Sequence, residues 1–324
     1  MASLSRKSEF VAQRRIRLLQ VGHCPNVRFQ WLIAILMLLL PMYSSRADEA
    51  PRLSNAIVGR EFQYIVLRGD SLTSVGARFG VAVSTLAATN GLSSSAFLKE
   101  GQKLQIDNRH IVPAFLANGI VINIPQRMFF YFNQHDGIRA FPVALGRPDW
   151  PTPVGPFTIV GKRENPEWNV PESIQEEMLR EEKTVTGCVP PGPDNPLGTH
   201  WFRLSIPGYG IHGTIAPASI YHFLTHGCIR MNPDDIAAIF PEVMPGTPGR
   251  ILYQRLLIAK VGARVFLEVH RDIYGKQPTP LPRLLEILRT HDLGSSLDWE
   301  KVKLLIEKQE GVAREVTKNA PEHR

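Results

Sequence analysis

The chain has 324 residues, enough for two domains or three small modules, and its 44% apolar and 21% charged residues exclude global disorder. A net charge of +7 suggests a nucleic-acid binder, but residues 1–47 hold seven basic residues (Arg6, Lys7, Arg14, Arg15, Arg17, Arg28, Arg46) against one acid, Glu9. That leader carries six of the seven net charges, and the remainder has no Lys/Arg block, so no nucleic-acid partner is expected.

The leader passes from a basic segment ending at Arg28 into ten uncharged residues, 31–40, broken by Pro41 and followed by Ser45-Arg46-Ala47. Ten apolar residues suit a signal-peptide core, whereas a membrane span needs about 20. A signal peptide over 1–47, cleaved after Ala47, is expected, with an uncleaved inner-membrane anchor as the alternative. Both place residues 48–324 outside the cytoplasm. Cleavage removes Cys24 and leaves Cys188 and Cys228. In an oxidising compartment these two could form one disulfide, which would silence a thiol nucleophile.

Residues 62–106 form the first unit. Phe62-Gln63-Tyr64-Ile65-Val66 alternates as a strand does, and Gly69-Asp70-Ser71 makes a turn whose Asp70 or Ser71 can cap a helix. Leu72, Val75 and Phe79 recur at helical spacing until Gly80. A second helix is predicted over 84–90, and Lys103-Leu104-Gln105-Ile106 closes a strand, helix, helix, strand unit. Residues 120–257 are strand-rich. Gly119 to Ile124 and Met128 to Phe132 flank Pro125-Gln126-Arg127, a hairpin signal. Helices are predicted only over 173–182 and 233–240. The Pro and Gly density between Val189 and Gly198 implies a long functional loop. A mostly-β, β-sandwich-like domain with that loop over one face is the expected architecture. After residue 258 come a strand over 265–269, amphipathic helices over 280–289 and 299–307, and a polar tail from Arg314, with no chemistry of their own.

The chemistry lies in Ile211-His212-Gly213-Thr214 and Thr225-His226-Gly227-Cys228-Ile229-Arg230-Met231. A thiol nucleophile needs a base in reach, a third group to orient that base, and backbone amides aimed at the developing oxyanion. His212 ends a predicted strand 16 residues before Cys228, so neighbouring strands can bring the two together. Gly227 lets the chain turn tightly beside Cys228. Arg230 places a cation suited to a substrate carboxylate and to favouring the thiolate. Three other readings remain. His212, His222, His226 and Cys228 could ligate zinc, although their spacing matches no compact zinc template. Cys188 and Cys228 could form a structural disulfide, or Cys228 could be inert among core histidines.

Residues 62–107 resemble a LysM module: Tyr64-x-Val66-x-x-Gly69-Asp70-Ser71-Leu72, then Ala77, Phe79-Gly80-Val81, Leu86, Asn90-Gly91 and Gly101-Gln102-x-Leu104-x-Ile106. The resemblance implies binding to the N-acetylglucosamine-containing glycan of peptidoglycan or chitin. Residues 118–257 resemble the YkuD-type L,D-transpeptidases, through His212-Gly213-Thr214 and the Thr225 to Met231 run. Further matches are Lys162-Arg163-Glu164-Asn165-Pro166-x-Trp168 and Pro191-Gly192-Pro193-x-Asn195-Pro196-Leu197-Gly198. Together they imply a periplasmic enzyme of the Gram-negative wall, with residues 258–324 as a C-terminal extension.

By position, the resemblance makes Cys228 the nucleophile that attacks the carbonyl of the third stem residue, diaminopimelate, and releases D-alanine. It makes His212 the base, the Gly213 carbonyl its orienter, and the amides of Gly227 and Cys228 part of the oxyanion hole. His226 and Arg230 would hold substrate. The acceptor is a second stem, giving a 3-3 crosslink, or a lysine of an outer-membrane lipoprotein. No cofactor and no metal is expected. The bulky Ile220-Tyr221-His222-Phe223-Leu224 replaces a glycine-containing segment and is expected to narrow the acceptor side. Cys188 is expected to be a buried bystander, or else to cap Cys228 by oxidation. The competing functions are a wall-binding LysM protein without catalysis and a hydrolytic L,D-carboxypeptidase. A thiol oxidoreductase fits poorly for lack of a Cys-x-x-Cys.

Overall fold

The computed structural model describes residues 52–114, 118–133 and 137–318, all within the unit Pro51–Arg324. The expected signal peptide over 1–47 lies outside the described residues. Among those described, no helix is long and apolar enough to cross a membrane.

The first module builds from strand β1 (Glu61–Ile65), helices α1 (Leu72–Phe79) and α2 (Val83–Thr89), and strand β2 (Lys103–Asp107), which pairs antiparallel with β1. Ser71 is the N-cap of α1, and its side chain and that of Ser74 satisfy each other's backbone amides. Gly80 ends the helix at φ +72, a left-handed position that a side chain resists. A Cβ there would also lie 3.3 Å from Met128 Sδ, so glycine lets the helix end approach the next domain. Val66, Leu72, Val75, Leu86, Leu104 and Ile106 close a small core.

The large sheet comprises β3 (Gly119–Asn123), β4 (Met128–Asn133), β5 (Gly137–Gly146), β6 (Gly155–Glu164), β7 (His200–Leu204), β8 (Gly210–His212), β9 (Phe223–Thr225), β10 (Ile229–Met231) and β11 (Pro248–Leu252). Its order is β9-β5-β10-β8-β7-β6-β11-β3-β4, and β4 pairs again with β5. The ten-residue strands β5 and β6 each serve both layers: the start of β5 pairs with β4 and its end with β10. The sheet therefore folds over on itself in the expected sandwich-like way. Ile120, Ile122, Phe129, Leu145, Phe202 and Ile211 are among the side chains that fill the space between the layers. Between β6 and β7 lies a flap containing α3 (Glu172–Arg180), with no buried residue, and α4 (Pro233–Ile239) follows β10, capped by Asn232.

The extension adds β12 (Leu256–Val261), β13 (Arg264–Val269), α5 (Leu281–Thr290) and α6 (Trp299–Lys308). Its polar tail is not loose: Arg314–Glu315 pairs with β13, and Val316 is fully buried.

The three parts meet at one buried charged knot. Glu268 on β13 accepts from His110 Nδ1 (2.8 Å), His270 Nε2 (2.7 Å), the Ile111 amide (2.6 Å) and the Gln126 amide group (3.1 Å). His110 Nε2 donates to the Gly80 carbonyl at 2.9 Å, so both ring nitrogens of His110 carry protons and the ring is a cation. Burial opposes that charge, but the Glu268 carboxylate and the Gly80 carbonyl outweigh it and raise His110 above its ordinary value. Burial lowers His270, which stays neutral. Gly80 comes from the first module, Gln126 from the β3–β4 turn and Glu268 from the extension. One ion pair thus joins all three. Among the described residues, His110, Glu268 and His270 are the one group at metal-ligand spacing. The zinc set His212, His222, His226 and Cys228 does not gather in this way.

Candidate active site

The two sequence motifs lie on adjacent parallel strands, β8 and β10, with Ile211 opposite Ile229 and His212 opposite Arg230. His212 and Arg230 therefore share one face, and the Arg230 charge acts on both the His212 ring and the thiol of Cys228, which immediately precedes β10. Trp201 is opposite His212 on β7, and its ring stacks on the imidazole at 5.8 Å.

His212 is buried and its Nδ1 donates to the Gly213 carbonyl at 2.7 Å, which fixes the tautomer and leaves Nε2 as an acceptor. Burial, with Arg230 adding to it, pushes the imidazole down to about 3, so the ring is neutral at physiological pH. The half-buried Cys228 thiol faces the Gly208 carbonyl at 3.9 Å. Burial raises the thiol above its ordinary value, although the Gly210 amide and Arg230 pull the other way. Arg230 therefore favours the thiolate, as expected, but burial outweighs it. The resting pair is a thiol and a neutral imidazole, not an ion pair. Alkylation of Cys228 by iodoacetamide, measured in a Cys188→Ser background, should still be accelerating at pH 9. A rate plateau already reached below pH 7 would contradict this.

Gly227 has φ +99, and a Cβ there would lie 2.6 Å from the Tyr209 ring, so only glycine fits. Its amide, expected in the oxyanion hole, donates to Thr225 Oγ1 at 3.2 Å instead. That hydroxyl donates in turn to the Cys228 carbonyl at 2.6 Å. The Gly227 carbonyl accepts from Thr152 Oγ1 at 2.9 Å. Thr152 is braced from the extension, because Tyr274 Oη accepts from its amide at 3.2 Å and donates to the Gly146 carbonyl at 2.6 Å. The extension expected to lack chemistry thus supports the turn at Gly227-Cys228. His226 pairs through Nε2 with Glu177 of α3 and meets Trp150 edge-on at 4.8 Å. Arg230 donates to Ser219 Oγ at 2.9 Å.

Two expectations need correction. Ile220 and Tyr221 do not line the acceptor side: both are buried in a cluster with Ala77, Val112, Phe130 and Ala144, against the end of α1. Arg127 lies over the Tyr221 ring at 3.9 Å. The bulk is where the first module docks on the loop that leads to Cys228. Cys188 is exposed rather than buried, and both it and Cys228 are free thiols, so no disulfide joins them. Thr152, Thr225, Trp201, Glu177, Arg147 and Tyr274 escaped the sequence reading. Only Thr225 lies within the motif that could have signalled it.

A family model described as the L,D-transpeptidase catalytic domain, YkuD, matches residues 117–251, and one described as the LysM domain matches residues 64–107. "Probable L,D-transpeptidase YcfS" of Escherichia coli strain K12 is 30% identical over 261 residues, covering 78% of this chain and 81% of that protein. "Probable L,D-transpeptidase ErfK/SrfK" of Salmonella typhimurium is 29% identical over 261 residues, covering 77% and 84%. A solved L,D-transpeptidase from Mycobacterium smegmatis is 18% identical with a TM-score of 0.34, covering 62% of this chain and 94% of that one. The chain belongs to the YkuD L,D-transpeptidase family and carries a LysM module.

Proposed function

We propose that the chain is an exported, periplasmic peptidoglycan L,D-transpeptidase with Cys228 as nucleophile and His212 as base. The observation that carries this reading is the His212 tautomer: Nδ1–H is committed to the Gly213 carbonyl, so Nε2 is available to take a proton, on the strand paired with the one that follows Cys228. In the first half-reaction Sγ attacks the carbonyl of the third stem residue while its proton passes to His212 Nε2. The tetrahedral intermediate then collapses, the C–N bond breaks, and the D-alanine amine leaves with that proton. A thioester remains on Cys228. In the second half-reaction an amine attacks it, His212 takes a proton from the nitrogen, and the thiol is restored as a new amide forms.

The acceptor amine belongs to another stem, giving a 3-3 crosslink, or to a lysine of an outer-membrane lipoprotein. Water in its place would make a carboxypeptidase. In this reading Arg230 and His226 line the substrate path. The domains run 62–107 (LysM), 118–257 (catalytic) and 258–324 (extension). The LysM module offers a shallow cavity of about 250 Å³ between Asp70–Thr73 and Ser94–Leu98, with Phe97 fully exposed at its edge, suited to stacking on a sugar. Residues 48–324 incubated with tetrapeptide-bearing muropeptides should release D-alanine and give a product whose mass joins two stems. Tripeptide alone would mean hydrolysis, and no D-alanine release would contradict the reading.

A further inference from the structure

Within the flap, α3 reaches the strand body through the polar contacts of one side chain. Helix α3 has no buried residue, and among the described residues its hydrogen bonds to the body are both made by Glu177. One carboxylate oxygen takes the Arg147 guanidinium and the other takes His226 Nε2. Both partners are fixed close to the nucleophile. His226 stands two residues before Cys228, and the Arg147 amide donates to the Thr225 carbonyl at 3.0 Å. Trp150 closes the side of this seat, with His226 edge-on at 4.8 Å and the Arg147 guanidinium 5.7 Å from its ring centre. The Glu177 side chain is only 14% exposed although no residue of its helix is buried, so its partners on the strand body cover it. The Arg147 guanidinium, with His226 adding, holds it below the usual carboxylate range, so it is ionised there.

A guanidinium, an imidazole nitrogen and an aromatic wall beside the reacting sulfur converge as a receptor for a carboxylate. The group that fills it is carried on a helix with no buried residue, which is how an internal stand-in is held and how it can be displaced. We propose that Arg147 and His226 form a carboxylate-binding subsite beside Cys228, that Glu177 of the flap occupies it in the resting enzyme, and that a free carboxylate of the peptide substrate displaces Glu177 on binding. The inference rests on the transpeptidase reading and adds a substrate determinant to it. An ionised stem peptide competes with Glu177 for the seat, and α3 lifts as it enters. Removing Glu177 therefore strengthens substrate binding, whereas a helix serving only to hold His226 in place would weaken it when cut loose.

The test is steady-state D-alanine release from a soluble tetrapeptide by the wild-type protein, Glu177→Gln, Arg147→Gln and the double variant, with Glu177→Ala to repeat the first. Glu177→Gln and Glu177→Ala should lower KM by about threefold or more, since the occluded fraction is abolished, with kcat within about twofold. Arg147→Gln in the Glu177→Gln background should raise KM by about tenfold or more. Amidating either the diaminopimelyl side-chain carboxylate or the terminal D-alanine carboxylate identifies which one is bound. The engaged one loses affinity in Glu177→Gln but loses no more in the double variant. Unchanged or raised KM in both Glu177 variants, or equal amidation effects with and without Arg147, would overturn the proposal. If the wild-type protein releases no D-alanine, the transpeptidase reading fails by itself. Calorimetric binding of the same peptides to Cys228→Ala variants then reads the subsite directly, with the same ordering expected and flat affinities overturning it.

Discussion

Replacing Cys228 by alanine is expected to abolish D-alanine release, with a loss on the order of 10⁴-fold or more, while leaving the fold and the thermal midpoint nearly unchanged. The size of the loss follows from the roles proposed. Without the thiol there is no acyl-enzyme. Stability should survive because Cys228 is half-buried and its thiol's hydrogen bond to the Gly208 carbonyl is 3.9 Å long. Replacing His212 by alanine should cost about 10²- to 10⁴-fold, the worth of a general base, because the thiol can still ionise slowly unaided. That loss should shrink as the pH rises, since a burial-raised thiol gains most from alkali. The two variants measured together by released D-alanine separate nucleophile from base. Equal residual rates for Cys228→Ala and the wild-type protein would exclude the thiol mechanism.

The largest expected effect on stability is at Glu268. Substitution by glutamine leaves the His110 cation buried without its counter-charge and turns an amide N–H₂ toward groups that already donate. Breaking a buried pair by removing one partner costs about 3–5 kcal/mol, which in a protein of this size lowers the thermal midpoint by on the order of 10 °C. The pH dependence has a defined sign. Glu268 is held down to about 2 against its ordinary 4.5; burial opposes the shift, while His110 and His270 drive it. Its contribution is therefore present above about 4.5 and is lost as the pH falls toward about 2. His110 is raised above 6.5, so its share is full below 6.5 and is lost as the pH rises through its folded value. The gap between wild-type protein and Glu268→Gln should thus be widest between about 4.5 and 6.5, and should narrow on either side. Thermal melts followed by circular dichroism across that range measure it. A variant that melts with the wild-type protein at pH 6 would show that the three parts are not held by this knot.

Such a knot could not be seen in the sequence. His110 and Glu268 are 158 residues apart, and neither is preceded or followed by a motif. The same holds for Thr152 beneath Gly227, for Tyr274 beneath Thr152, and for Glu177 against His226, each contact spanning tens of residues or more. What was legible is what is encoded locally. The hairpin at Pro125-Gln126-Arg127 is there, with Arg127 in the left-handed region at φ 55. Ser71 caps α1, and Gly80 ends it, as their chemistry requires. The helix predicted over 173–182 runs over 172–180, and that over 233–240 over 233–239. The run at Ile220-Tyr221 shows the limit from the other side. Its bulk was legible, but a bulky segment beside an active site looks the same whether it faces a substrate or the core of a docked module. Only the fold places Ala77 and Val112 against it. Likewise Arg314 to Thr317 reads as polar tail because just one residue, Val316, points inward.

The docking has a consequence for how the LysM module is used. α1 ends on the loop that presents Ser219 to Arg230, and the Glu268 knot locks the module to the sheet and the extension. The module is held against the catalytic domain rather than tethered to it by a flexible linker. Glycan bound at the 70–73 and 94–98 edge would then be presented in one orientation relative to Cys228.

The central claim is that an acyl group passes through Cys228, and the mass of the intact protein tests it most directly. Residues 48–324 mixed with a tetrapeptide muropeptide in the absence of an acceptor amine, quenched in acid within seconds, should gain the mass of the tripeptide muropeptide less one water. Peptide mapping should place that adduct on Cys228, and hydroxylamine should remove it. Release of D-alanine with no adduct on the protein, or an adduct that maps to Cys188, would contradict the account.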